Sequence, residues 1–275
     1  SVDYRNNVPA VLTNVKDQGA CGSCWSFGTT EGIETHSALQ FGKLHTLSEQ
    51  QLVSCVPPVN VTSQNASATL HGCHGYLPPL AIDHLVSQGG GQTTEWMNPY
   101  TAYFSEWNYT KQIPIAKCEK TVLGGNFVNV TGFNYMPANN AAAYQRTLDE
   151  DGPITIVMYV PASLESYEGG IYADPSCIGN KNMDPSHVVL MVGYGYDADT
   201  KQDYWIIRNS WNTFWGEDGY FRILRESNAT SAAAACGQMP LPKPEKGANP
   251  RVWGNVTACG VCGILAFGLV PTVSL

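Results

Sequence analysis

The sequence predicts an α+β fold of two lobes, a helical lobe first and a β-rich lobe second, with the chemistry in the cleft between them. Two observations predict it. Helical patterns with recognisable start and stop signals fill residues 24 to 88, and short apolar strands bounded by turns fill residues 154 to 224. The two regimes follow one another rather than alternate, which disfavours a parallel α/β sheet.

The first helix runs from Cys24 to Phe41, with Trp25, Phe27, Ile33, Ala38, Leu39 and Phe41 as its apolar positions, and Gly42 stops it. Ser48 caps a second helix, with Gln51 three residues on as its capping-box partner. Pro78 to Gln88 reads as a third, closed by Gly89-Gly90-Gly91. Ile154 to Val160 is a buried strand after Gly152-Pro153, and Val188 to Tyr194, Tyr204 to Arg208 and Gly219 to Leu224 complete the set. Residues 56 to 72, between Cys55 and Cys73, read as a polar surface loop, and Lys243 to Pro250 as a linker.

The chain has 275 residues, enough for a sizeable core, and a net charge of −8. It has no Lys/Arg run, which excludes binding driven by phosphate neutralisation and so a nucleic-acid partner. Charged residues make up 14%, well below the roughly 25% of an average domain. Six Asn-X-Ser/Thr sequons, at Asn60, Asn65, Asn108, Asn129, Asn228 and Asn255, accompany nine cysteines and point to the secretory pathway. No charged and apolar leader stands at Ser1, so a processed mature form is expected.

Cys24 sits at the start of the first helix, where the macrodipole favours an anion and the first amides lack intrahelical acceptors. Gly19 and Gly22 let the backbone turn ahead of it. Only a thiolate attacks well, so the thiol needs a base. His187, at the mouth of a buried strand, is the candidate among six histidines. Asn209 ends another strand and can accept from the imidazole, with Trp211 as an aromatic cover. No cofactor or metal is expected.

The residues Gln18-Gly19-Ala20-Cys21-Gly22-Ser23-Cys24-Trp25, Ser186-His187-Val188 and Asn209-Ser210-Trp211 resemble the papain/cathepsin L family, as do Gly72-Cys73, Gly193-Tyr194-Gly195 and Trp215 to Tyr220. The resemblance runs from about Asp3 to Pro240. Both downstream residues lie farther from Cys24 than the roughly 130–150 residues usual for the family, which inserted loops such as 56 to 72 explain.

The resemblance implies a papain-like two-lobed fold, with a helical left lobe at about residues 11–120. It implies an antiparallel β-barrel-like right lobe at about 121–240, joined by the N-terminal strap. Residues 1–240 would then be catalytic, and 241–275 a linker and apolar extension. It implies a cysteine endopeptidase acting through a thioester acyl-enzyme. Cys24 would be the nucleophile, paired with His187 as thiolate and imidazolium, Asn209 would orient His187, and Gln18 with the Cys24 amide would form the oxyanion hole. The pairing it implies is Cys21–Cys73, Cys55–Cys118 and Cys177–Cys236, leaving Cys259–Cys262 as a local disulfide and Cys24 free. Partners would be protein or peptide substrates and propeptide or cystatin-like inhibitors, in a lysosomal, vacuolar or secreted setting. A structural glycoprotein with vestigial activity is the competing reading.

By the same resemblance, Gly75 and Tyr76 form the substrate ledge, and Leu77, Val157, Val188 and Leu241 an apolar P2 pocket. Tyr76 and Ser186 depart from the family pattern, and Tyr76 is expected to narrow the S3 region. The tail from Ala258 to Leu275 carries no charge. A packed extension is the first expectation for it, and a membrane contact the alternative.

Overall fold

The computed structural model describes residues 1–63, 66–104, 116–118, 128–178, 182–225, 236–244 and 254–274. Among them the helices are α1 (Cys24–Phe41), α2 (Glu49–Cys55), α3 (Pro78–Ser87), α4 (Ala141–Glu150) and α5 (Ala162–Glu165). The strands are β1 (Val2–Asp3), β2 (Val59–Ser63), β3 (Ala66–Leu70), β4 (Gly91–Gln92), β5 (Val128–Tyr135), β6 (Ile154–Met158), β7 (Ile171–Tyr172), β8 (His187–Asp197), β9 (Gln202–Arg208), β10 (Tyr220–Leu224), β11 (Gly237–Leu241), β12 (Lys243–Pro244), β13 (Gly254–Ala258) and β14 (Gly268–Ser274).

The α1 helix has no polar stripe: every residue from Cys24 to Ala38 is buried. A helix buried all round must let its neighbours come close, and glycine permits this at Gly28. A Cβ there would lie 2.8 Å from Val188 Cγ1 on β8. Thr155 Oγ1 on β6 donates to the Gly28 carbonyl at 2.8 Å, tying helix to sheet. Gly42 ends α1 in a left-handed conformation, its amide bonded to the Ala38 carbonyl. Ser48 caps α2 by accepting from the Gln51 amide. The Gln51 side chain does not return the bond. It reaches across to the Gly91 carbonyl and the Thr93 amide instead.

The main sheet runs β4-β5-β14-β6-β8-β9-β10-β7, with β1 also on β8. Its pairs are antiparallel except β10 with β7. Together with the helices it forms the expected two-lobed α+β architecture. The sequence boundary at residue 240 has no counterpart in the sheet. Strand β14, from the apolar tail, lies between β5 and β6, with Leu269 paired to both Tyr135 and Thr155. Leu265, Phe267, Leu269 and Val273 are buried there. A run without charges fits a strand flanked by neighbours on both sides. No described helix is long and apolar enough to cross a membrane.

The insert between Cys55 and Cys73 is a hairpin rather than a loop. Strands β2 and β3 pair from Val59↔Leu70 to Ser63↔Ala66. Strand β12, which follows the right-lobe strand β11, then pairs with β2, so a three-stranded ribbon joins the lobes at one end of the cleft. Of the segment read as a linker, Lys243 and Pro244 form this strand, and its remainder lies outside the described residues. Asn65, Asn108 and Asn228 also lie outside them. Asn60 and Asn255 are exposed, while Asn129 is half-buried and donates to Ser274 Oγ at 3.0 Å.

Two expected disulfides are corrected. The structure pairs Cys21–Cys73 and Cys55–Cys118 as expected, but joins Cys177 to Cys262 and Cys236 to Cys259. Register is the reason. Gly237 stands opposite Ala258, so the next residues outward, Cys236 and Cys259, meet. The short helical turn at Val261–Gly263, with Cys262 in a left-handed conformation, sends that side chain into the right-lobe core. There Cys177 is also fully buried.

Candidate active site

Cys24 is the one cysteine without a disulfide partner. It opens α1, directly after the N-cap Ser23. The loop ahead of it is pinned by Cys21–Cys73 and by close backbone contact at Gly22, where a Cβ would sit 2.2 Å from the Cys73 carbonyl oxygen. His187 opens β8 and pairs with Met158 of β6. Asn209 follows β9, its amide bonded to the Gly219 carbonyl. The approach of α1 to β8 at Gly28 therefore brings the helix start and the strand start to one place. Cys24 and His187 line the same cavity, of about 220 Å³, and the Val188 amide hydrogen-bonds the Cys24 thiol.

The imidazole is held on one edge and one face. Its Nε2 lies 2.7 Å from Asn209 Oδ1. A carbonyl oxygen can only accept, so Nε2 carries the proton and Nδ1 is left for the thiol side. Trp211 stacks on the ring at 4.8 Å between centroids and 29° between planes, and Trp215 meets Trp211 edge-on at 5.0 Å. Burial, partly offset by amide hydrogen bonds to the thiol and by the Asn209 bond to the ring, pushes the Cys24 thiol up to about 11 and the His187 imidazole down to about 4. Burial thus disfavours a lone charge on either group, and transfer of the thiol proton to the imidazole charges both together.

Gln18 is nearly buried and fixed at three points. Its Nε2 donates to the Cys21 carbonyl at 3.0 Å, its Oε1 accepts from Ser210 Oγ at 2.7 Å, and its amide bonds the Ser210 carbonyl. Tyr100, which the sequence reading did not single out, completes the support. Its hydroxyl donates to the Gln18 carbonyl at 2.9 Å and lies 2.7 Å from Ser23 Oγ. Tyr100 comes from a segment without periodicity, so only its aromatic character was available as a signal. Ser186, which also lines the cavity, accepts from the Val160 amide at 3.0 Å.

The cavity gathers the expected Gly75, Tyr76, Leu77, Val157, Val188 and Leu241. Tyr76 packs its ring on Trp25 at 5.0 Å and donates its hydroxyl to the Pro57 carbonyl, so most of it is buried beneath the ledge. Linings that were not foreseen include Leu70 of the hairpin, Pro242 beside β12 and Phe267 ahead of β14. The alternation Val59-Asn60-Val61 was a readable strand signal for the hairpin. Nothing in the sequence placed Phe267 beside residues 24 and 187.

Beneath the site lies a buried ionic cluster. Lys16 donates to Glu34 at 2.6 Å and to Glu49, Arg208 faces Glu31 at 3.1 Å, and Thr13 donates to Glu34 at 2.7 Å. Glu31 lies two turns along α1 from Cys24, Arg208 precedes Asn209, and Lys16 leads into Gln18. Burial lifts Glu31 to about 7 and Glu49 to about 8.

A two-lobed α+β fold that sets a lone thiol at a helix start beside an amide-oriented imidazole defines the papain-like class. Comparison with known proteins places the chain within it. The model of the papain family cysteine proteases matches residues 1–240, and the chain belongs to that family. It is 35% identical to pro-cathepsin H of Mus musculus and 34% identical to procathepsin L of the same species, over 244 residues in each case, 88% of this chain. Digestive cysteine proteinase 1 of Homarus americanus is 36% identical over 228 residues, 82% of this chain. These alignments cover 65%, 65% and 62% of the relatives, so the chain spans just under two thirds of their length. Among solved structures, the bromelain protease of Ananas comosus in complex with the E64 inhibitor superposes with a TM-score of 0.71 at 26% identity, covering 99% of this chain and 98% of that one.

Proposed function

We propose that this protein is a cysteine endopeptidase that hydrolyses peptide bonds through a thioester on Cys24 and prefers an apolar residue at P2. The observation that carries the reading is the lone thiol at the start of α1 sharing a cavity with His187, whose far nitrogen is bound to Asn209. In the reaction the thiol proton passes to His187 Nδ1 as Cys24 Sγ attacks the scissile carbonyl. The developing oxyanion accepts from the Cys24 amide and from Gln18 Nε2. One such donor is worth about 10²–10³ in rate. His187 then protonates the leaving amine, and water activated by the same imidazole hydrolyses the thioester, returning the proton to Cys24. Asn209 keeps the ring oriented throughout, and Trp211 shields that hydrogen bond from water.

The apolar cavity supports the P2 preference. Among the described residues it has no carboxylate in its lining for a basic side chain, whereas burying an aliphatic or aromatic one is worth roughly 1.5–3 kcal/mol. Protein and peptide substrates follow, with propeptide and cystatin-like inhibitors as partners and a lysosomal, vacuolar or secreted setting. Labelling with E64, with Cys24→Ala as control, tests the reading. Stoichiometric labelling of the parent alone is expected. Absence of labelling between about pH 5 and 7, where such a pair operates, replaces it with the reading of a structural glycoprotein.

A further inference from the structure

We infer that Phe214 is a specificity residue for the leaving-group half of the substrate, where it favours apolar side chains. The inference rests on the hydrolase reading above. Phe214 is 95% exposed, on a turn between Trp211, which stacks on His187, and Trp215, which meets Trp211 edge-on.

The side of the site follows from the cavity. Its lining includes Cys24 and His187 but neither Trp211, Phe214 nor Trp215. The imidazole therefore separates an apolar pocket, which takes the acyl half, from an aromatic border. His187 gives its proton to the leaving amine, so the residues beyond the cut pass on the tryptophan side of the ring.

The turn itself is held rigidly. Asn212 takes a left-handed φ of 68°. Its amide donates to the Lys16 carbonyl at 3.1 Å, and its side-chain nitrogen donates to Asp17 Oδ2 at 3.0 Å. Its Oδ1 accepts from the amide and the hydroxyl of Thr213. Trp215 anchors the far end by donating to the Glu165 carbonyl at 3.0 Å. A phenyl ring on a fixed backbone loses little freedom on contact, so its burial goes largely into binding. The turn from Ser210 to Trp215 carries no charged side chain of its own.

The test uses three substrates with one acyl half: a peptide with Leu in the first two leaving positions, the same peptide with Ser there, and a methyl ester too small to reach the turn. Phe214→Ala is expected to lower kcat/KM for the Leu peptide relative to the ester about five-fold, the worth of burying roughly half a phenyl ring. The Ser peptide should fall by less than half as much, and Phe214→Leu should restore most of the loss. The ring buries almost nothing in the fold, so an unchanged melting temperature checks that the variant is intact. A constant Leu-to-ester ratio, or equal losses on Leu and Ser peptides, overturns the inference. Failure of the parent enzyme to turn over all three substrates overturns the hydrolase reading instead.

Discussion

The buried cluster beneath the site sets how stability depends on pH. Three carboxylates, Glu31, Glu34 and Glu49, face two cations, Lys16 and Arg208. Burial disfavours the excess negative charge, so the folded state keeps a proton that the unfolded chain has already released. Glu49 and Glu31 are raised from 4.5 to about 8 and about 7. A raised carboxylate stabilises the fold at low pH and loses that contribution as pH rises through its folded value. His36 and His187 act in the opposite sense. Burial lowers both below 6.5, so they stabilise the fold above that pH and destabilise it below. Between about 4.5 and 6.5 the two senses oppose one another, and above 6.5 the carboxylates act without the histidines, so stability should fall between about 6.5 and 8. One retained proton over about 1.5 pH units is worth about 2 kcal/mol, or a melting temperature lower by about 4–8 °C at the alkaline end. Differential scanning fluorimetry across this window is the assay. Glu49→Gln, which removes the titrating group but keeps its shape, should flatten the decline. A melting temperature that stays level or rises from pH 6.5 to 8, or a slope unaltered in Glu49→Gln, refutes the reasoning.

Peptide mapping without reduction should recover Cys177–Cys262 and Cys236–Cys259, and recovery of Cys259–Cys262 would contradict the β11–β13 register. Phe267→Ala should enlarge the P2 cavity and raise the preference for Phe over Val at P2 by about ten-fold, at about 3–5 kcal/mol of stability. Phe267→Leu offers a milder variant, and an unchanged P2 ratio in both would remove Phe267 from the pocket wall. Glycan mapping should find Asn60 and Asn255 modified and Asn129 bare, because the Asn129 side-chain nitrogen is bound to Ser274 within the sheet. A glycan on Asn129 would show that this edge of the sheet opens before modification.

The sequence by itself determined the parts of this protein that rest on local rules. A glycine-bounded cysteine at a helix start, a Ser N-cap, a Gly stop after Phe41, and histidine and asparagine at strand ends are each legible from neighbours a few residues away. That made α1, α2, β8, β9 and the thiol–imidazole–amide grouping readable. Only the tertiary structure decided what depends on register and long-range pairing. Which of two cysteines three residues apart faces the core was fixed by the β11–β13 pairing and the turn at Val261–Gly263. A tail that read as a packed extension became a strand inside the sheet, because an uncharged run is most stable with a neighbour on each side. Phe267 reached the cavity of Cys24 by the same folding back of the chain. The hairpin's alternation was short and interrupted by sequons, so its partner strand, more than 170 residues later, gave no local sign.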